Sequence, residues 1–368
     1  MACSGRSYTV VAGDTLYLIA QRFLGNGALW VELTKPDGTP FTAADAENLQ
    51  IGQVVCMPGQ FTGITPLGFL QNISGLQTVA GQHNREPNSE PAMWTDWIDA
   101  TTGKFPGYWS GDFLYEQEDI NNRGTMINEA KRQWQQGALV HLMYHAAPPD
   151  LGEPCNWDPG VINHPLSDAQ WSDLITDGGT LNTQWKARLD VISVFLQDLK
   201  DNGVQPLWRP FHEMNKSMDP NLNENPFWWA GRPGPNGTAR LYQITHDYMV
   251  GTKGLTNLIW VWDVQDVDFT WADYNPGDGY WDIFAMDMYG DGYTTQKYTT
   301  MLQIAGDKPI AIGECGTLPT ADELAAQPRW TFFMAWAELV QNDNSVQQIQ
   351  DLYNAANVIT LAQMPGWG

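Results

Sequence analysis

Trp208-Arg209-Pro210-Phe211-His212-Glu213-Met214-Asn215 is the stretch on which the reading of this chain turns. It follows Gly203-Val204-Gln205-Pro206-Leu207, a short apolar run that reads as a buried strand. The strand then ends in a cation, an imidazole and a carboxylate. Burying such groups is costly unless each finds a partner. In a parallel barrel that cost is usually met at the catalytic end of a strand. A salt-bridged strand end with no chemistry is the plainer alternative.

A second run, Lys308-Pro309-Ile310-Ala311-Ile312-Gly313-Glu314-Cys315-Gly316, also closes on a single glutamate. Two carboxylates on strand ends are what glycoside hydrolysis needs. One protonates the leaving oxygen, and the other attacks the anomeric carbon or activates water.

Outward from these two runs the same rhythm recurs. Apolar strands are expected near 76–83, 104–110, 138–145, 204–211, 258–263, 281–287, 308–314 and 330–336. Helical spacing falls between them, at 128–136, 239–249, 294–304 and 346–356. The clearest stripe is Trp185, Leu189, Ile192, Phe195, Leu196 and Leu199, closed by Gly203. Eight strands alternating with helices predict an α/β chain folded as a (β/α)8 TIM barrel. Function is then expected at polar strand ends: His83, His145, Arg209, His212, Asp263, Asp287, Tyr289, Glu314 and Trp336.

The first 60 residues follow another pattern. Tyr8-Thr9-Val10-Val11 reads as a strand, and Leu16, Ile19, Ala20 and Phe23 fall at helical spacing behind an Asp14 or Thr15 cap. Ala43 to Leu49 forms a turn or short helix, and Gln53 to Pro58 returns as a strand. The division is a β-α-α-β module over 1–60 and a barrel over 61–368, joined by a Gly/Pro/Thr linker at 59–68.

Composition narrows the function. The 368 residues carry 19 Lys+Arg against 42 Asp+Glu, a net charge of −23. With no basic block, nucleic acid and anionic membranes are poor partners and a neutral polymer is a better one. No apolar run is long enough to span a bilayer. The 18 Trp are unusual. Some are expected to stack on sugar rings, although core packing is the favoured role for any one. No HExxH, CxxC or phosphate loop occurs, so no metal and no cofactor is expected. Met1 to Arg6 contains no hydrophobic signal segment. Cys3 and Cys56 bracket the first module and suggest a disulfide, hence a secreted protein, expected to be monomeric. Cys155 and Cys315 are either paired or both free.

The first module resembles a LysM domain on Tyr8-Thr9-Val10, Gly13-Asp14-Thr15-Leu16, Ile19-Ala20 and Leu49-Gln50-Ile51-Gly52-Gln53-Val54. The resemblance implies binding of an N-acetylglucosamine polymer such as chitin or peptidoglycan, along a loop at Gly13, Asp14 and Thr15. Residues 64–368 resemble family 26 of the glycoside hydrolases, best known for endo-β-1,4-mannanases. The matching motifs are Arg209-Pro210-Phe211-His212-Glu213-Met214-Asn215, Phe227-Trp228-Trp229, Asp287-Met288-Tyr289-Gly290 and Ile312-Gly313-Glu314.

That resemblance implies a retaining hydrolase of β-mannan with Glu213 as acid/base and Glu314 as nucleophile. Substrate contacts are implied at His145, Arg209, His212, Trp228, Trp229, Trp262, Asp287, Tyr289 and Trp336. His212 is equally readable as a buried imidazole. A β-1,3-xylanase, a mixed-linkage β-glucanase and a non-catalytic carbohydrate-binding protein are the alternatives. The chain departs from the family pattern at Lys216 to Pro226, a polar insert where Gly-Ser-Trp is usual.

Overall fold

In the module, β1 (Ser7–Thr9) pairs antiparallel with β2 (Val54–Cys56), with Ser7 opposite Cys56. This computed structural model describes residues 3, 7–58, 64–219, 221–222 and 224–367. The domain boundary expected at 60/61, the start of the linker at 59–63, and Pro220 and Asn223 of the insert lie outside the described residues.

Thr15 caps the helix Leu16–Leu24 through Leu18 N–H at 3.1 Å, and Gly25 closes it at φ +76°. Its apolar stripe of Leu16, Ile19, Ala20 and Phe23 packs on Tyr8, Val10, Leu33, Phe41, Val55 and Met57. A disulfide ties Cys3 to Cys56 of β2. A 3-10 turn at Gly27–Glu32 precedes the expected second helix, Ala43–Glu47.

From Thr78 onward the strands come in the expected order. They are β3 (Thr78–His83), β4 (Tyr108–Asp112), β5 (Leu139–Met143), β6 (Leu207–Arg209), β7 (Ile259–Gln265), β8 (Ile283–Met288), β9 (Ile310–Cys315) and β10 (Trp330–Ala335). Each pairs parallel with the next, and β10 pairs with β3 from Phe332 opposite Val79 onward, which closes an eight-stranded barrel. A two-residue strand, β11 (Val358–Ile359), runs beside the start of β3.

The core has two layers, set by the alternation of side chains along each strand. Leu207, Ile259, Val261, Ile283, Ala285, Ala311 and Met334 fill the barrel interior. Trp208, Trp260, Trp262, Phe284, Met286 and Phe333 face the helices. The helix Thr180–Asp201 buries Trp185, Leu189, Ile192, Leu196 and Leu199 as the stripe predicted. The helix expected at 128–136 instead runs Gln117–Gln136. Its first turns are polar and give no apolar period to read.

The module sits on the end of the barrel where the strands begin, beside the starts of β3 and β11. Arg22 is its anchor, 1% exposed. Its guanidinium donates to Asp14 Oδ1 at 3.2 Å and Tyr8 Oη at 3.2 Å inside the module. It also donates to Gln77 Oε1 at 2.9 Å and the Gln363 carbonyl at 3.3 Å in the barrel. Gln21 adds a bond to the Asn72 carbonyl at 3.1 Å. Gly13, at φ +87°, lies so close to Ala356 that a Cβ would stand 3.0 Å from that residue's Cβ. The Asp14 carboxylate, expected in a ligand groove, is fully buried in this network. It structures the loop and offers nothing to a ligand.

Candidate active site

Seven of the eight barrel strands, β3 to β9, contribute the polar groups at the barrel mouth. Arg209 points inward from the end of β6, where it is 1% exposed. One nitrogen donates to Asp287 Oδ1 on β8 at 2.8 Å and Asp263 Oδ2 on β7 at 3.1 Å. The other donates to Glu314 Oε1 on β9. The Tyr289 hydroxyl donates to Glu314 Oε2 at 2.8 Å. Both oxygens of this carboxylate are therefore held by donors, the environment an ionised nucleophile requires.

Glu213 comes from the turn after β6 and has a left-handed backbone, φ +51°. Its N–H donates to Asp263 Oδ1 at 3.0 Å. Lys216 Nζ lies 2.6 Å from its Oε2. Carboxylate oxygens of Glu213, Asp287 and Glu314 lie within 4.8 Å of one another. That acidic trio is countered by Arg209 and Lys216.

Burial dominates the proton affinities here. It pushes Glu314 up to about 7, against Arg209, which favours the ionised form. It raises Glu213, opposed by Lys216, and it raises Asp263 and Asp287, opposed by Arg209. One guanidinium does not neutralise three buried carboxylates, so the group retains protons well above the ordinary carboxylate range. Burial also drives His212 and His141 well below the usual imidazole value and His83 to about 3, so all three are neutral at physiological pH.

The imidazoles hold the cleft floor. Ser110 Oγ bridges His83 Nδ1 at 2.7 Å and His141 Nδ1 at 2.8 Å. The His83 ring stacks on Trp336, centroids 4.3 Å apart and 22° between planes. His145 Nδ1 bonds Asp112 Oδ2, and its ring meets His212 edge-on at 4.6 Å. Burial would raise Asp112, but the His145 contact outweighs it and holds the carboxyl at about 2.

The cleft encloses about 410 Å³. Of the predicted site residues, His145, His212, Glu213, Tyr289, Glu314 and Trp336 line it. Arg209 and Asp287 sit directly behind, bonded to one another and, through Arg209, to Glu314. Trp228, Trp229 and Trp262 do not reach it, and the substrate contacts expected of them are corrected. All three are fully buried. Trp262 alternates with inward-facing Asp263, so it points at the helices and stacks on Phe284 at 4.0 Å. Trp228 Nε1 donates to the Ala146 carbonyl at 2.8 Å, and Trp229 Nε1 to the His212 carbonyl at 2.9 Å. They brace loops from behind. Within that aromatic triplet it is Phe227 that faces the cleft, stacked on Trp229 at 4.6 Å and 6°.

Sequence reasoning also missed Arg85, Tyr115, Trp157 and Lys216 on the cleft wall. Trp157 is 40% exposed and stacks on Tyr115 at 5.9 Å. Only its place in the long loop after β5, among Gly, Pro and Asn, marked it as a solvent-facing ring. Cys155 and Cys315 are both free. Asn215, the last residue of the motif, is buried and bonded at both ends of its amide to the Gln265 backbone.

Two carboxylates set this close at the mouth of a parallel barrel are the apparatus of a glycoside hydrolase. Comparison with known proteins narrows the class. Residues 59–363 match the sequence profile described as Glycosyl hydrolase family 26, and residues 8–35 match the LysM domain. The chain belongs to glycosyl hydrolase family 26.

A mannan endo-1,4-beta-mannosidase of Thermothelomyces thermophilus is 30% identical over 97% of this chain and 74% of its own length. The mannan endo-1,4-beta-mannosidase A and B of Caldalkalibacillus mannanilyticus is 28% identical over 81% of this chain, which spans 60% of that relative. Among solved structures, GH26A from Muricauda sp. MAR_2010_75 superposes with a TM-score of 0.75 at 32% identity, covering 81% of this chain and 95% of that one. A beta-mannanase from a symbiotic protist of the termite Reticulitermes speratus, complexed with gluco-manno-oligosaccharide, gives 0.69 at 28% identity, covering 82% and 93%.

Proposed function

We propose that the chain is a retaining endo-β-1,4-mannanase that hydrolyses mannan, glucomannan and galactomannan by double displacement. The observation that carries this reading is the spacing of Glu213 and Glu314, with oxygens no more than 4.8 Å apart. Retaining enzymes set their carboxyl groups about 5–5.5 Å apart, whereas inverting enzymes leave about 6.5–9.5 Å for a water. The mannan backbone is supported by the names and 28–30% identities of the relatives above.

On this reading Glu314, ionised between Arg209 and Tyr289, attacks the anomeric carbon. Glu213 gives its proton to the leaving oxygen. A covalent glycosyl–Glu314 forms, the ionised Glu213 then takes a proton from water, and the resulting hydroxide displaces Glu314 with the configuration restored. His145, His212, Tyr289 and Trp336 surround the scissile sugar. Arg209 and Asp287 act from behind the nucleophile.

The test is product analysis on β-1,4-mannan and galactomannan beside β-1,3-xylan and barley β-glucan. Short mixed manno-oligomers, first released as the β anomer, are expected. Turnover of xylan or β-glucan alone would replace the substrate, and a first-formed α anomer would replace the mechanism. Glu213→Gln and Glu314→Gln should each abolish mannan hydrolysis with the fold intact, and wild-type activity in either would remove its assigned role.

The LysM match supports an N-acetylglucosamine polymer as the module's ligand. Retention of the full chain on chitin is the check. The Cys3–Cys56 disulfide supports secretion, because such bonds persist in oxidising compartments. The protein is proposed to act as a monomer, to be checked by its mass in solution.

A further inference from the structure

Lys216 opens the insert and turns back into the cleft. Its side chain is 17% exposed, and Nζ lies 2.6 Å from Glu213 Oε2 and 5.8 Å from the Phe227 ring centre. An exposed lysine pair contributes little, because two long side chains must be held still in water. This one is held from several directions. Lys216 N–H donates to the Glu213 carbonyl at 3.1 Å, closing a turn. Ser217 N–H donates to Glu224 Oε2 at 2.6 Å, which ties the far side of the insert to the same turn. Gly231 N–H donates to the Met214 carbonyl at 3.0 Å. A Cβ at Gly231, φ +71°, would stand 2.8 Å from the Lys216 carbonyl oxygen. The ammonium is thus placed by the backbone around it.

The other groups facing Glu213 come from every neighbouring strand. Asp263 on β7 accepts its N–H. Carboxylate oxygens of Asp287 on β8 and Glu314 on β9 lie within 4.8 Å. Arg209 on β6 is turned to Asp263, Asp287 and Glu314. His212 is neutral, and the Tyr289 hydroxyl is committed to Glu314. Among the described residues, Lys216 is the one cation in contact with Glu213.

We propose that Lys216 is a positioning residue for Glu213: it fixes the carboxylate toward the leaving oxygen and stabilises the ionised form in which Glu213 activates water. The proposal rests on the acid/base reading of Glu213 given above. When Glu213 has protonated the leaving oxygen, Glu314 is esterified, and the new negative charge on Glu213 would face the buried acids Asp263 and Asp287 in a dry cleft. Lys216 supplies the compensating charge at that moment. The carboxylate then takes a proton from the attacking water, and the ammonium is released from the pair as Glu213 becomes neutral again.

Removing the cation makes Glu213 hold its proton more tightly, since a nearby positive charge favours the ionised form by about 1–3 pKa units. In Lys216→Met the alkaline limb of kcat/KM on mannan should therefore move up by about one pH unit or more. An aryl β-mannobioside with a good leaving phenolate needs no acid. With it, kcat should fall about tenfold and KM should fall with it, as the covalent intermediate accumulates. Lys216→Arg keeps the charge and should restore the wild-type limb. Coincident pH profiles for wild type and Lys216→Met, with unchanged aryl turnover, would overturn the proposal.

A Glu213→Ala control separates this from failure of the underlying reading. Azide should restore its turnover of the aryl substrate and release a β-mannobiosyl azide. If it does not, Glu213 is not the acid/base, and the role of Lys216 is withdrawn with it.

Discussion

The Asp263 carboxylate accepts the main-chain N–H of Glu213 at 3.0 Å, and Glu213 is held there at φ +51°. For a non-glycine residue that backbone costs on the order of 1 kcal/mol or more, and it persists where neighbours over-determine it. Asp263 binds Arg209 with its second oxygen at 3.1 Å. One buried carboxylate thus fixes both the residue proposed as acid/base and the arginine behind the proposed nucleophile. Asp263→Ala is expected to lower kcat on mannan by about 100-fold, the scale of a misplacement of about 1 Å. Steady-state kinetics beside a thermal melt decides it: an unchanged kcat in a folded variant removes the positioning role.

The pH dependence follows from two raised carboxyls. The nucleophile acts ionised, so rate is lost as pH falls through the Glu314 value of about 7. The acid acts protonated, so rate is lost as pH rises above the raised value of Glu213. A bell in kcat/KM is expected, with its acid limb well above the ordinary carboxylate range near 4.5. A limb near 4 in the free enzyme would mean that Arg209 and Tyr289 outweigh burial.

Two tryptophans should respond in opposite ways. Trp157→Ala removes a 40% exposed ring from the cleft wall. A several-fold rise in KM with little change in melting temperature is expected, in line with about 0.5–1.5 kcal/mol for an aromatic contact. Trp228→Ala empties a fully buried site and breaks the bond to the Ala146 carbonyl. A loss of about 3–5 kcal/mol in stability is expected. Parallel KM and denaturation measurements test the pair, and equal effects on both readouts would refute the division.

Arg22→Met should loosen the module from the barrel. The change leaves buried Asp14 without its cation and frees Gln77 and the Gln363 carbonyl. Breaking a buried pair from one side costs about 3–5 kcal/mol. Calorimetry should turn one cooperative transition into two, with the module melting first. A single transition at the wild-type temperature would show that the interface contributes nothing to stability.

The sequence alone determined the barrel and most of its mouth. Strand order, strand spacing and the polar ends at His145, Arg209, Glu213, Asp287, Tyr289 and Glu314 were legible because apolar runs broken by charge have few other places to go. Helix ends were less legible. The start of Gln117–Gln136 turns polar side chains, Asp119 and Arg123, to the inside, so it carries no apolar period.

Tertiary structure decided which aromatic rings meet solvent. A Trp at a strand end reads the same whether it points inward or outward. Strand alternation sends Trp262 to the helices, whereas Trp336 lies past the end of β10 and turns into the cleft. It also decided the partners of charge. Nothing in the order of residues places Lys216 on Glu213, sets Asp263 under the Glu213 N–H, or buries Arg22 between two domains. Pattern fixes which element a residue joins, since burial of apolar surface is local and periodic. A hydrogen bond or ion pair needs two groups within about 3 Å: a local turn supplies that for Lys216 and Glu213, and only the folded chain supplies it for Asp263 with Glu213 and Arg22 with Gln77, which are far apart in sequence.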